Sequence, residues 1–413
     1  MVNVPPLSSG ARKATLLAAF AGLLFSGFQL GLMPLASLSV SRSLMGTAFA
    51  DGVAAQWFAW FTAAIMLGAA CGGIGLGAVG DRFGRARALG VSVLIYSLAS
   101  GAGTLVKTQE QLLVLRFLAG VGVGGMWPCG IALVAESWPG VARPMAAGIA
   151  GTGINVGILL VSQIGRVWSV TPETWRTLFL VGAAPVLLGA ACLAWLPESP
   201  AWLAARGPAK RSALGELFRP PLLRITLLGI ALGTIPMVGT WGAGKWMIPW
   251  ADKIGGTVHP GLKAATQGWW AIGAILGSYA GSHLAHRLGR RAAYFSISLG
   301  AAVCTSGLFA FFTPLDRFFL PMVFAQGCVS TLFFGWLPYC LPELFPTHVR
   351  AAGSGAAYNA GRFITAGGIF AAGALVAACG GDYARVGTFT GLLYALGMIV
   401  VLWMPKTAPR ELS

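Results

Sequence analysis

The chain has 413 residues, 56% of them hydrophobic and only 10% charged, where an ordinary soluble domain carries about 25% charged residues. With a mean hydropathy of +0.75, this composition excludes a soluble globular domain. The net charge of +16 comes without a basic stripe on any soluble face, which argues against a nucleic-acid partner.

A helix needs about 20 apolar residues to cross a bilayer, and twelve runs of that kind follow one another. They cover 14–38, 55–79, 88–106, 112–135, 145–166, 176–196, 225–249, 262–285, 292–313, 317–341, 351–379 and 386–404. Backbone groups must be satisfied internally in lipid, so runs of this length are expected as helices. The first run follows Arg12 and Lys13, exceeds a signal-peptide core and has no clean cleavage site after it, so it is read as a true span. With both termini cytosolic, 17 of the 28 Lys and Arg residues fall in inner segments and 8 in outer loops. That bias sets the expected topology: a multi-pass protein of the cell (inner or plasma) membrane, with the lipid bilayer as its surroundings. The seven cysteines lie within or beside spans, where they are expected as packing residues rather than a disulfide framework.

Three stretches organise this layout. Between spans 2 and 3 stands Gly77-Ala-Val-Gly-Asp81-Arg82-Phe-Gly84-Arg85-Ala-Arg87, too charged for hydrocarbon and therefore a tight, wet loop. After span 4 comes Glu136-Ser-Trp-Pro139-Gly-Val-Ala-Arg143, and 207 residues later, after span 10, Glu343-Leu-Phe-Pro346-Thr-His-Val-Arg350. The loop itself has an echo 205 residues on, in His286-Arg287-Leu-Gly289-Arg290-Arg291. Two echoes at nearly one offset predict two parallel, pseudo-symmetric six-helix halves, 1–196 and 225–413. The polar segment 197–224 is the cytosolic linker between them. The glycine run Gly120-Val-Gly122-Val-Gly124-Gly125 follows no strand, so it is read as close helix packing in span 4 and not as a cofactor loop. No cofactor, metal site or catalytic residue is expected.

The Gly-x-x-x-Asp-Arg-x-Gly-Arg loop resembles that between helices 2 and 3 of the major facilitator superfamily of transporters. The paired Glu-x-x-Pro-x-x-x-Arg motifs, with Pro197-Glu198-Ser199-Pro200 after span 6, are similar to its sugar porters and to its organic-acid symporters (aromatic-acid and sialate types). Span 7 lacks the paired glutamines of sugar porters, whereas Tyr358-Asn359-Ala-Gly361-Arg362 in span 11 looks like the organic-acid branch. That branch has two acids in span 1, where this chain has Ser26-Gly27-Phe28-Gln29. The resemblance implies an all-α membrane protein of facilitator fold with a midplane substrate site. It also implies gating or coupling roles for Asp81, Arg82, Arg85, Arg116, Glu136, Arg143, Glu343 and Arg350. Asp81 is expected near the end of span 11, as a latch.

All twelve acids fall in loops or at span ends, while Arg116, Lys245 and Arg362 lie within spans. An ion at a helix centre costs about 2.5–3.5 kcal/mol on insertion scales, so such residues mark function. Arg362 is at midplane depth, whereas Arg116 and Lys245 are expected within a turn or two of the outer surface. Arg362 is the first candidate for an anion anchor, with Asn155 its pseudo-symmetric counterpart and Tyr358 one turn away; the bland alternative is a packing arginine. Lys245 with Trp241, Ser26 with Gln29, and the mid-span Trp127 and Trp336 complete the candidate substrate contacts. Trp269 and Trp270 are read as packing. The chain is thus expected to be a monomeric secondary transporter for a small organic anion, a monocarboxylate, working by alternating access. Facilitated diffusion, exchange, or symport on the substrate's own proton would each fit; a neutral sugar or polyol carrier is the alternative.

Overall fold

The computed structural model describes residues 7–138, 143–204, 214–346 and 349–405. Among them there is no strand. Twelve helical rods follow in order: α1 Ser9–Met45, α2 Asp51–Phe83, α3 Arg85–Gly103, α4 Gln109–Ser137, α5 Arg143–Val167, α6 Trp175–Trp195, α7 Leu222–Gly255, α8 Leu262–Leu288, α9 Arg290–Phe311, α10 Phe319–Cys340, α11 Arg350–Ala378 and α12 Tyr383–Trp403. Ten of the twelve are long and apolar enough to cross a membrane by length and composition alone. Their outward faces are apolar as well: Leu187, Trp195 and Phe311 are each about four-fifths exposed. A helix hydrophobic all round needs an apolar solvent.

The rods outrun the apolar windows that announced them. α1 spans Ser9–Met45 where 14–38 is expected, and α7 spans Leu222–Gly255 where 225–249 is expected. A hydropathy window sees only the hydrocarbon-soluble part of a helix. Polar turns continue it where they find partners, as Ser39 does by donating to the Val170 carbonyl at 2.9 Å. The expected linker contains two short helices, Pro200–Ala204 and Leu214–Leu217, with 205–213 outside the described residues.

The chain divides into two compact units, Met1–Phe49 with Trp60–Ala209, and Ala50–Ala59 with Lys210–Ser413. The first turns of α2 therefore belong to the second unit, where Asp51 pairs with Lys253 at 3.1 Å and Phe58 packs edge-on against Trp246. Within each unit, glycines bring helices into backbone contact. A Cβ at Gly120 or Gly124 of α4 would run into the Ile65 or Ala69 carbonyl of α2. Gly273, Gly277 and Gly281 of α8 likewise face the Phe324, Cys328 and Leu332 carbonyls of α10. The glycine run of span 4 is thus a packing surface. With no hydrophobic drive between helices in lipid, such close approach is what holds them together.

A single residue separates α2 from α3, and another separates α8 from α9: Gly84 at φ +119° and Gly289 at φ +79°. Both lie where a side chain is strained. The sites differ in surroundings, because a Cβ on Gly84 would strike the Glu198 carboxylate while one on Gly289 meets open space. Replacing either by Ala is expected to cost about 1–3 kcal/mol of strain. Gly84→Ala should lower the midpoint of thermal unfolding in detergent further than Gly289→Ala; equal midpoints would show that Glu198 yields freely.

Candidate functional site

In the first unit the three sequence motifs meet at one end of the helices. Arg85, in the first turn of α3, pairs with Asp81 of the preceding turn and approaches Glu136 of α4, Nε to Oε1, at 3.6 Å. Ser199 donates to the other Glu136 oxygen, and the Trp202 indole donates to the Asp81 carbonyl at 2.7 Å. Gly84 precedes α3 without a side chain to cap it. Glu198 supplies the cap from a distance, accepting from the Ala86 N–H at 2.9 Å and its own neighbour Ser199 N–H at 3.1 Å. A carboxylate there also meets the positive end of the helix dipole. The Pro-Glu-Ser-Pro stretch, legible in sequence only as a signature, thus fastens the loop between α2 and α3. Asp81 finds its ion-pair partner within its own loop. Arg82 is exposed and lies over the Phe83 ring. Pro139 to Ala142 and the Arg143 side chain lie outside the described residues.

Deeper in this unit stands Arg116, only 1% exposed. Its guanidinium donates to the Gln29 backbone carbonyl at 2.6 Å and to the Gln29 side-chain oxygen at 3.2 Å, while the Gln29 amide donates to the Gly182 carbonyl at 3.0 Å. One arginine therefore ties α1 to α4, and its glutamine ties α1 to α6. Arg116 is buried within the helix packing, and Gln29, a candidate substrate contact, is fully enclosed and engaged on both its amide atoms. Ser26 is enclosed too, and donates to the Leu23 carbonyl of its own helix at 2.7 Å. Asn155 stays half-buried at the midpoint of α5, and Trp127 is half-buried with its ring in contact range of Gly151.

In the second unit Arg362 lies half-buried near the middle of α11, its guanidinium 5.1 Å from the centre of the Tyr358 ring one turn earlier. The spacing had placed these two on one face, and the structure brings them together. Lys245 is the more enclosed cation. It is wholly buried, its ammonium has no hydrogen-bond partner among the described residues, and it lies 3.1 Å from the centre of the Trp270 ring and 5.4 Å from that of Trp241. Desolvated cation–π contacts of this kind are worth about 2 kcal/mol or more. Trp270 is oriented by its indole N–H, which donates to Gln326 at 2.9 Å; Gln326 in turn donates to Thr305 at 3.0 Å. Lys245, expected within a turn or two of the outer surface, is enclosed by protein, and Trp270, read as packing, faces a charge. The missed signal was the pairing of a mid-span lysine with an aromatic on the next helix, which spacing within one helix cannot reveal.

Trp336, a candidate lining residue, is fully buried in an aromatic cluster with Tyr294 and donates to the Arg290 carbonyl at 2.9 Å. It packs, tying α10 to the first turn of α9. Arg290 pairs with Glu343 at 3.0 Å, the counterpart of Arg85 with Glu136. Arg350 is exposed and bonds the Phe345 carbonyl at 3.4 Å. One buried ion pair was not foreseen: Asp252, between the seventh and eighth apolar runs, and Lys263, at the start of the eighth, meet at 3.0 Å with side chains under a tenth exposed.

Residues 15–371 match the Major Facilitator Superfamily, and the chain belongs to that family. It is therefore a multi-pass membrane transporter and not an enzyme. It is 29% identical over 345 residues (82% of this chain, 79% of the relative) to a probable 4-methylmuconolactone transporter of Cupriavidus pinatubonensis. It is 28% identical over 365 residues (86% of each chain) to the cis,cis-muconate transport protein of Acinetobacter baylyi. Its fold matches the partially occluded inward-open xylose transporter XylE from E. coli at a TM-score of 0.74 and 20% identity, covering 98% of this chain and 100% of that one.

The Arg116–Gln29 clamp yields a coupled pair of substitutions. Gln29→Leu removes an acceptor from a buried guanidinium and is expected to cost about 1.5–3 kcal/mol. Arg116→Met should cost markedly less in the Gln29→Leu background than in the wild type. Strict additivity in a double-mutant cycle of thermal unfolding would mean that the two side chains do not act together.

Proposed function

We propose that the protein carries a small organic anion, a monocarboxylate, by alternating access, with Arg362 as its anchor in the second unit. The observation that carries this reading is a half-buried guanidinium at the middle of a membrane-spanning helix, held over a tyrosine ring. An ion at that depth is costly, and a guanidinium can fork onto a carboxylate through two charge-assisted hydrogen bonds. Tyr358 adds a hydroxyl beside it, and Asn155 offers a donor and an acceptor at the equivalent depth of the first unit. Lys245 adds positive charge to the second unit, and Trp241 and Trp270 add flat apolar faces. The relatives that transport muconate and 4-methylmuconolactone support an organic-acid substrate.

Coupling follows from the titratable groups. The acid most enclosed among the described helices, Asp252, is engaged with Lys263; His283 and His286 sit at the last turns of α8 and are exposed. Transport is accordingly read as facilitated diffusion, exchange, or symport of a proton on the substrate's own carboxylate. Both termini are placed in the cytosol by the positive-inside bias, and the protein is read as a monomer in the cell membrane.

Thermal unfolding in detergent against carboxylates and sugars tests the anchor. A ligand at 100 times its Kd stabilises by about 2.7 kcal/mol when it binds only the folded state. Carboxylates should raise the midpoint of the wild type and leave Arg362→Gln unmoved. A shift from sugars in both proteins, with none from carboxylates, would replace this reading with a neutral-sugar carrier. For coupling, uptake of a sulfonate analogue, which cannot be protonated, is expected to move no protons. Proton movement alongside it would assign the coupling to a side chain.

A further inference from the structure

We propose that the second unit holds a binding site for the headgroup of an anionic phospholipid, in a groove between the starts of α7 and α9 and the end of α12. The groove has a volume of about 400 Å³ and is lined by Arg224, Ile225, Leu228, Arg291, Trp403 and the segment around Met404. This inference is independent of what the protein transports.

Three features give the groove its chemistry. The first is charge without a partner. Arg290, next to the groove, is engaged by Glu343, but among the described residues neither Arg224 nor Arg291 takes part in an ion pair. The Arg291 Nη2 donates to the Met404 carbonyl, which fixes the side chain, while its Nε is buried with no hydrogen-bond partner. The second is the helix ends. α7 starts after Pro221 and α9 after Gly289, both without a side-chain cap and without an acid in the first turn. Their positive dipole ends add to the two guanidiniums. The third is the apolar wall. Ile225, Leu228 and the largely exposed Trp403 flank the basic groups, where an indole at a span end suits the membrane interface. A free phosphate would use only the basic part; an anionic headgroup with the beginnings of its acyl chains fits both.

The test uses the full-length protein in detergent, titrated with phosphatidylglycerol, phosphatidylcholine and glycerol 3-phosphate, with binding followed by native mass spectrometry. Phosphatidylglycerol should bind more tightly than phosphatidylcholine, and glycerol 3-phosphate should bind more weakly than phosphatidylglycerol. Arg224→Gln should weaken phosphatidylglycerol about fivefold, the effect of one basic residue at an anionic surface. Arg291→Gln should weaken it at least as much. Because Arg291 also holds the Met404 carbonyl, the exposed Arg224 decides the matter. Arg287→Gln removes an exposed arginine at the same end of α8, outside the groove, and should change nothing. Unchanged affinity in Arg224→Gln, an equal loss in Arg287→Gln, or glycerol 3-phosphate binding as tightly as the lipid would each overturn the proposal.

Discussion

Nothing in hydrocarbon can stand in for water around a charge, and each ion this chain takes into its helices meets that constraint in its own way. Arg116 donates to the backbone and side-chain oxygens of one glutamine. Asp252 and Lys263 neutralise one another. Lys245 has no hydrogen-bond acceptor among the described residues and rests against two indole faces. These three are enclosed by protein. Arg362 differs in being half-buried at the middle of its helix, against a tyrosine ring. Enclosure satisfies a charge and also removes it from solutes, so partial exposure at depth is the property that separates a candidate anchor from a clamp.

The same constraint shapes the helix ends, where the two units repeat one another without being copies. Each joins two helices through one glycine of positive φ, and each sets an arginine of the following turn on a glutamate at or just past the end of the next helix: Arg85 with Glu136, Arg290 with Glu343. The first unit adds Asp81, Glu198, Ser199 and Trp202 to this pair. In the second unit His286 stands where Asp81 would, and Trp336 closes on the Arg290 carbonyl. One loop is therefore fastened by a network of ionic and capping contacts, and the other by one ion pair together with packing. Ionic contacts near the surface respond to water and salt far more than packing does, so the two loops have different means of loosening.

The helices were legible in the sequence because the bilayer demands a minimum apolar length, and that demand is written into every span. Their ends were not, because a helix continues beyond the hydrocarbon wherever its polar turns find partners, as Ser39 does. The repeat was legible from two echoes of sequence, and so was the Arg362–Tyr358 pair, since both residues lie on one helix. Contacts between helices were a different matter. The spacing of Ser26 and Gln29 gave a shared face but could not show that Arg116 and Gly182 already stand against it. Trp270 looked like packing because its charge partner comes from α7, and Glu198 looked like a family signature because the helix end it caps is more than a hundred residues away.

The winding of α7 joins these threads. From Val238 to Ala243 the helix widens to a π turn, then tightens through Gly244–Trp246 before resuming. Such breaks leave backbone groups to be satisfied elsewhere and recur at functional sites. Here the Trp246 indole returns to the Gly242 carbonyl at 2.9 Å, and the Thr240 hydroxyl meets that of Tyr394 at 3.1 Å. Lys245 sits within the tightened turn. Its position over Trp270 is therefore set by the local winding of α7, while Trp270 is held separately through Gln326 and Thr305. Any rewinding of α7 moves the ammonium relative to a ring that stays where its own hydrogen bonds fix it. The enclosure of that charge therefore depends on the local winding of α7 as well as on the hydrogen bonds that hold the ring.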